Sequence, residues 1–225
     1  IKDGLRRMYG EDSENIYYYI TIYNEPYVQP AEPVGVDTAG ILRGMYLLAP
    51  DSDAKGPRTQ LLASGVSVPW ALEAQTLLRE DWGVSADVWS VTSWNELRRD
   101  GLAADRHNFL NPSAAPQVSW VTEKLAGTQG PVIAVSDFMR AVQDQIRDWV
   151  PNDFVSLGTD GWGMSDTRGA LRRHFLVDAQ SITVQALAML AKRGEIPAER
   201  VQEAIDRYDL TNPKAASAGN TEGGG

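Results

Sequence analysis

The chain has 225 residues, 43% of them hydrophobic, with 21 Lys and Arg against 30 Asp and Glu, a net charge of −9 and a pI near 4.7. That length buries a sizeable core without staples and suffices for one large domain, or for one domain and a piece of another; the acidic balance argues against nucleic acid or an anionic membrane as partner, because neutralising phosphates takes clustered Lys and Arg. Cysteine is absent, which excludes disulfides, thiolate metal sites and cysteine nucleophiles, and neither a membrane-spanning apolar run nor a signal-peptide pattern occurs, so the cytoplasm is the expected compartment.

Taken in order, Ile1 opens directly onto KDGLRRMYG, the last turns of a helix ending at Gly10. A chain that starts inside a helix is expected to be part of something larger. Ile16 to Tyr23, IYYYITIY, is short and rich in aromatic and β-branched residues, which predicts a buried strand. Pro26, Pro30 and Pro33 then forbid a helix or central strand and mark a connector between domains. Asp37 to Leu48 is ambiguous: Ile41, Leu42, Met45 and Tyr46 suggest a short helix, Gly40 and Gly44 weaken it, and the stretch can equally end in a strand. Beyond the turn DSDAKGP, Thr59 to Ala63 reads as a strand and SGVSVP as the entry to a helix capped by Ser67. Trp70, Ala74, Leu77 and Leu78 share one face of that helix, and Gly83 closes it. Val84 to Val91 alternates as a second strand, Trp94 to Ala104 is helix-like, NPSAAP breaks the chain, and a short segment follows from Trp120 to Leu125.

Pro131 to Val135 is a third strand, after which Ser136 caps a helix carrying Phe138, Val142, Ile146 and Trp149 at helical spacing. Phe154 to Leu157 is a fourth strand. Ala179 to Ala191 places Ile182, Ala186, Leu187 and Leu190 on one stripe and ends at Gly194; Pro197 begins a last helix with Val201, Ala204, Ile205 and Tyr208 inward. Strands alternating with helices predict an α/β fold, a mostly parallel sheet with helices on both faces. The tail AASAGNTEGGG has no apolar content and is expected to be disordered.

The chain is organised around LGTDGWGMSDTRGALRRHF, Leu157 to Phe175. Its glycines allow sharp turns and close approach, and Ser165 is the expected N-cap of the helix that follows, so the plain reading is a capped strand-to-helix turn. Neither a G-x-x-x-x-G-K-[ST] phosphate loop nor a G-x-S-x-G elbow is present. His107 and His174 are the only histidines and form no H-x-x-x-H pair, so no zinc site is expected. A triad of Ser165, Asp166 and His174 would have to bridge a turn and a helix; His174 reads more simply as a residue beside its own helix end or a neighbouring domain. Asp160 and Asp166 can be paired carboxylates, although turn and capping roles account for both. The turn Ser64 to Ser67 places backbone donors at a helix start, a pattern of anion sites that is also common in α/β sheets. The seven tryptophans are spread over most elements, as core or as contact residues. Chemistry alone leaves a soluble α/β domain with no evident active site.

The strings DGLRRMYG, ENIYYYITIYNEPYVQP, DVWSVTSWNELRRDG, LGTDGWGMSDTRGALRRHFLVDA and LAKRGEIP, in this order, resemble the C-terminal portion of the homodimeric E1 component of pyruvate dehydrogenase from Ile1 to about Tyr208. The resemblance implies residues 1–29 as the end of a pyrimidine-binding middle domain, 30–39 as linker, 40–212 as a transketolase-like C-terminal domain and 213–225 as a disordered tail. The tail GNTEGGG departs from the family's usual ending. By the same resemblance the full enzyme decarboxylates pyruvate on thiamine diphosphate with Mg²⁺, and passes the acetyl group to the lipoyl group of the E2 dihydrolipoyl acetyltransferase, with the cofactor carrying the difficult step. It joins glycolysis to acetyl-CoA. The family's cofactor, metal and catalytic residues precede Ile1, so none is assigned here and the piece alone is expected to be inactive. The implied partners are the remainder of the E1 polypeptide, a second E1 subunit and E2. Asp160, Ser165, Asp166, Arg168, Arg172 and His174 are the expected contacts to another domain or subunit, glycine giving close approach and arginine bidentate pairing. A non-catalytic docking or dimerisation module, or a related 2-oxoacid dehydrogenase or transketolase, remains the alternative.

Overall fold

The computed structural model describes residues 1–23, 28–52 and 56–212. The expected disordered tail and parts of the connector and of the DSDAKGP turn lie outside the described residues.

The chain divides into two units, Ile1–Glu32 and Pro33–Gly225. The first holds α1 (Lys2–Tyr9), which ends at Gly10 as its sequence predicts. Ile16 to Tyr23 is not a buried strand: it forms no ladder, and Tyr17, Tyr19 and Ile22 are 86%, 85% and 89% exposed. The reason is local. A strand needs a partner for its backbone groups, and among the described residues of this unit there is none; instead Tyr18 folds back on α1, its hydroxyl donating to Asp3 (3.0 Å) and accepting from Arg7 (3.1 Å). Arg7 also pairs with Glu14.

The second unit is a sheet between two helical layers. The ambiguous stretch resolves into both of its options, α2 (Thr38–Arg43) and β1 (Met45–Ala49). They meet at Gly44, whose φ of 107° and whose position, with a Cβ only 2.8 Å from the Ser93 carbonyl oxygen, leave room for no other residue. Then follow β2 (Arg58–Ala63), α3 (Ser67–Trp82), β3 (Ser85–Val91), α4 (Trp94–Leu110), α5 (Trp120–Leu125), β4 (Val132–Val135), α6 (Arg140–Asp144), β5 (Phe154–Leu157), α7 (Arg168–His174), α8 (Ala179–Lys192) and α9 (Glu199–Arg207). The strand order is β1-β3-β2-β4-β5. Strands β2 to β5 run parallel in register, Leu62 lying beside Trp89 on one side and Ala134 on the other, whereas β1 pairs antiparallel with β3.

Pleat alternation sends successive side chains to opposite layers. Leu61, Ala63, Val88, Ile133 and Val135 pack under α3, α8 and α9; Leu62, Trp89, Val91, Val132 and Ala134 pack under α4 and α5. Each fully buried leucine or isoleucine here stabilises the fold by roughly 1.5–3 kcal/mol. The stripe Ile182, Ala186, Leu187 and Leu190 is buried as its spacing predicts, and Val201, Ala204, Ile205 and Tyr208 face the same layer. Gly83 closes α3 in the left-handed conformation. Among the described residues no helix is long and apolar enough to cross a membrane.

Three expected serine caps are corrected. Ser67 is the first residue of α3 rather than its cap; its hydroxyl accepts from the Ser64 amide and has the carbonyls of Ser64 and Val135 within reach of its single proton. Ser136 accepts from the Phe138 amide, and the expected long helix after it is only α6 plus a 3₁₀ turn at Arg147–Trp149. Gln143 turns inward there to donate to the Leu157 carbonyl and to Ser136, tying this segment to β5. Ser165 is exposed and caps nothing; Thr167 caps α7, accepting from the Ala170 amide.

Candidate functional site

In open α/β sheets the crevice for ligands lies beyond the carboxyl ends of the strands, where the order reverses. Here that point is between β2 and β4, at Ser64 and Ser136. It is filled from within. The Ser64 amide donates to the Val135 carbonyl and to Ser67 Oγ, the Ser67 and Val68 amides donate to the carbonyls of Ser64 and Gly65, and Trp94 Nε1 donates to Ser64 Oγ at 3.0 Å. Of the backbone donors read as an anion site, those of Ser64 and Ser67 are therefore taken by the turn. Among the described residues no three His, Asp or Glu side chains gather where a metal ion could be held. A polar cavity of about 530 Å³ opens at the opposite, amino end of the strands, lined by Arg58, Gln129, Asn152 and Arg193, and its charges are already paired: Arg58 with Asp87, Arg193 with Asp153 and Glu195.

The candidate site is instead the loop that leaves β5 at the carboxyl edge. Gly158 starts it, and a Cβ there would lie 2.4 Å from the Phe138 carbonyl oxygen. That close approach lets Thr159 donate its amide to Phe138 O (2.9 Å) and its hydroxyl to Asp137 O (2.8 Å). Asp160 then accepts from both the backbone amide and the guanidinium of Arg140, so the loop is clamped to the entry of α6. This pairing holds the Asp160 carboxyl below the usual carboxylate range and raises Arg140 further.

Beyond the clamp the chain projects. Trp162 is 94% exposed and Met164 more than half exposed. Asp166 accepts from the Thr167 amide at 2.7 Å, a turn role. Ser165, Asp166 and His174 are joined by no hydrogen bond among the described residues, and His174 lies edge-on to Phe175. Arg168 opens α7, and Arg172 lays its guanidinium over the Trp70 ring at 4.8 Å.

The residue that sequence reasoning passed over is Arg173. It is 4% exposed; Nε donates to Asp178 at 2.6 Å and Nη1 to the carbonyls of Tyr208 (3.0 Å) and Asp209 (3.3 Å). Asp178 caps α8 with its other oxygen, accepting from the Ser181 amide. One guanidinium thus ties α7 to the start of α8 and the end of α9. Within LRRHF nothing in the sequence separates Arg173 from Arg172, because the burial that distinguishes them comes from elements far along the chain. Of the tryptophans, Trp82, Trp89, Trp94 and Trp120 are core, and Trp162 is presented outward.

Comparison with known proteins is consistent along the whole chain. Residues 44–178 match the family of the transketolase-like TK C-terminal domain. The chain is 51% identical over 224 residues to the pyruvate dehydrogenase E1 component of Mycolicibacterium smegmatis and 49% identical over 224 residues to that of Mycobacterium tuberculosis, covering 100% of this chain and 24% of the relative in each case. It is 45% identical over 219 residues to the pyruvate dehydrogenase E1 component of Escherichia coli K12, covering 95% of this chain and 24% of that protein. The chain spans about a quarter of the length of these relatives.

Proposed function

Because the chain belongs to the family of transketolase-like C-terminal domains, we propose that it serves as the C-terminal part of a pyruvate dehydrogenase E1 component, acting in the cytoplasm between glycolysis and acetyl-CoA. The observation that carries this reading is identity of 45–51% to proteins of that name along nearly the whole chain, well beyond what a shared fold alone requires. The full enzyme decarboxylates pyruvate on thiamine diphosphate with Mg²⁺ and acetylates the lipoyl group of E2. In this reading residues 1–29 end the pyrimidine-binding domain, 30–39 are linker and 40–212 the C-terminal domain.

The described residues do not fit the cofactor: at the strand reversal Ser64 is bonded to Ser67 and Trp94, and among the described residues no carboxylate cluster offers magnesium ligands. No catalytic step is assigned to them. Their role is support of a cofactor cleft and homodimer built elsewhere, with Asp160, Ser165, Asp166, Arg168, Arg172 and His174 on the contact edge. The test is to assay the E1-length polypeptide and the 225-residue chain in parallel for pyruvate decarboxylation with thiamine diphosphate and Mg²⁺. Turnover by the long polypeptide alone is expected; absence of pyruvate turnover in it would remove the reading.

A further inference from the structure

Residues 109–118, FLNPSAAPQV, are exposed without interruption, Phe109 at 84%, Leu110 at 59% and Val118 at 56%, and the segment carries no charged residue in a chain of net charge −9. Leu102, two turns earlier on the same face of α4, is 44% exposed. Ten consecutive exposed residues without a charge, carrying Phe109, Leu110 and Val118 uncovered, suit a contact more than a solvated loop, since interface cores are depleted in charge and enriched in aromatic side chains.

The loop is also held in shape. Asn108 accepts from the Gln117 amide at 2.7 Å and donates to the Gln117 carbonyl at 2.9 Å, closing the segment at its neck, and Asn111 donates to the His107 carbonyl at 2.8 Å. Pro112 and Pro116 reduce its freedom further. Such preorganisation lowers the ordering cost of a contact.

We infer that residues 109–118 with Leu102 are a docking face for the part of an E1-length polypeptide that precedes residue 1. This rests on the reading given under the proposed function. Relatives about four times as long as this chain set some surface of the matching region against the rest, and an uncharged, pinned loop with Phe109, Leu110 and Val118 uncovered suits such a contact.

The test is hydroxyl-radical footprinting, read by mass spectrometry, of the 225-residue chain and of the E1-length polypeptide. Phe109, Leu110 and Val118 are expected to label about tenfold less in the long polypeptide, as fully desolvated interface residues do. Equal labelling in the two overturns the inference. Protection already present in the 225-residue chain and lost on dilution assigns the face to a second copy and overturns it too. As a second readout, the pair Phe109→Ser and Leu110→Ser is expected to lower the Tm of the long polypeptide while leaving that of the 225-residue chain unchanged; equal shifts in both overturn the inference. Pyruvate turnover of the long polypeptide, measured on the same sample, separates the two readings: turnover without protection rejects the docking face alone, and protection without turnover rejects the enzymatic reading alone.

Discussion

Replacing Arg173 with methionine tests whether one buried guanidinium holds the C-terminal helices together. The side chain is almost wholly buried, makes a 2.6 Å ion pair with Asp178 and supplies donors to two carbonyls at the end of α9. Methionine fills much of the volume but leaves a buried carboxylate without its cation and removes the donor to both carbonyls. Breaking a buried pair from one side costs about 3–5 kcal/mol. With a urea m-value of about 2–3 kcal/mol/M the unfolding midpoint falls by about 1–2 M. The assay is urea denaturation of the 225-residue chain followed by far-UV circular dichroism. Asp178→Asn keeps an oxygen for the α8 cap while removing the charge, so the double variant with Arg173→Met should recover part of the loss, with a coupling of about 0.5–3 kcal/mol. A loss below about 1 kcal/mol, or additivity in the cycle, would refute the account, because it would mean that water replaces the guanidinium at low cost.

Gly101 sits inside α4 with a Cβ position 2.4 Å from the Trp149 ring; Gly101→Ala is expected to cost about 1–3 kcal/mol through overpacking, read from the same denaturation curves, although alanine is the better helix former. Leu176 adopts φ 56° at the end of α7, where the Val177 amide returns to the Arg172 carbonyl. Glycine is the usual residue in that position, so Leu176→Gly should raise the Tm, by up to about 1 kcal/mol of stability, and any fall in Tm counts against a strained backbone. Partial burial first, and then the charge of Asp178, raise the Glu73 carboxyl above its ordinary range. A folded-state value above the unfolded one means a stability contribution that is present at low pH and lost as pH rises through the folded-state value. Glu73→Gln should therefore be more stable than the parent at pH 7 and lose that advantage as the carboxylate protonates; a pH series of denaturation midpoints showing a constant difference would reject it.

The strands from β2 to β5 were legible because each is a short apolar run bounded by turn residues, and the parallel arrangement followed from the helices between them. Strand β1 was half legible: Gly40 and Gly44 obscured a helix and a strand that join at Gly44 itself, and its antiparallel direction depends on pairing with β3, about which a local pattern is silent. Ser165, Asp166 and Thr167 are three adjacent capping types, and the local pattern does not say that it is Thr167 whose hydroxyl accepts from the Ala170 amide. The IYYYITIY stretch has strand propensity without a strand, since propensity cannot supply the missing edge. The loop at 109–118 looked like a mere chain break because asparagine, proline and serine mark a turn in sequence and reveal nothing of what the turn exposes.

Trp162 gives this molecule an intrinsic optical reporter. The four core tryptophans emit from an apolar surrounding, whereas Trp162, held outward between Gly161 and Gly163, is almost fully hydrated. Collisional quenching by iodide would therefore act on it preferentially, and loss of that quenchable fraction would time, in solution and without any label, the moment another protein surface covers the carboxyl edge of the sheet.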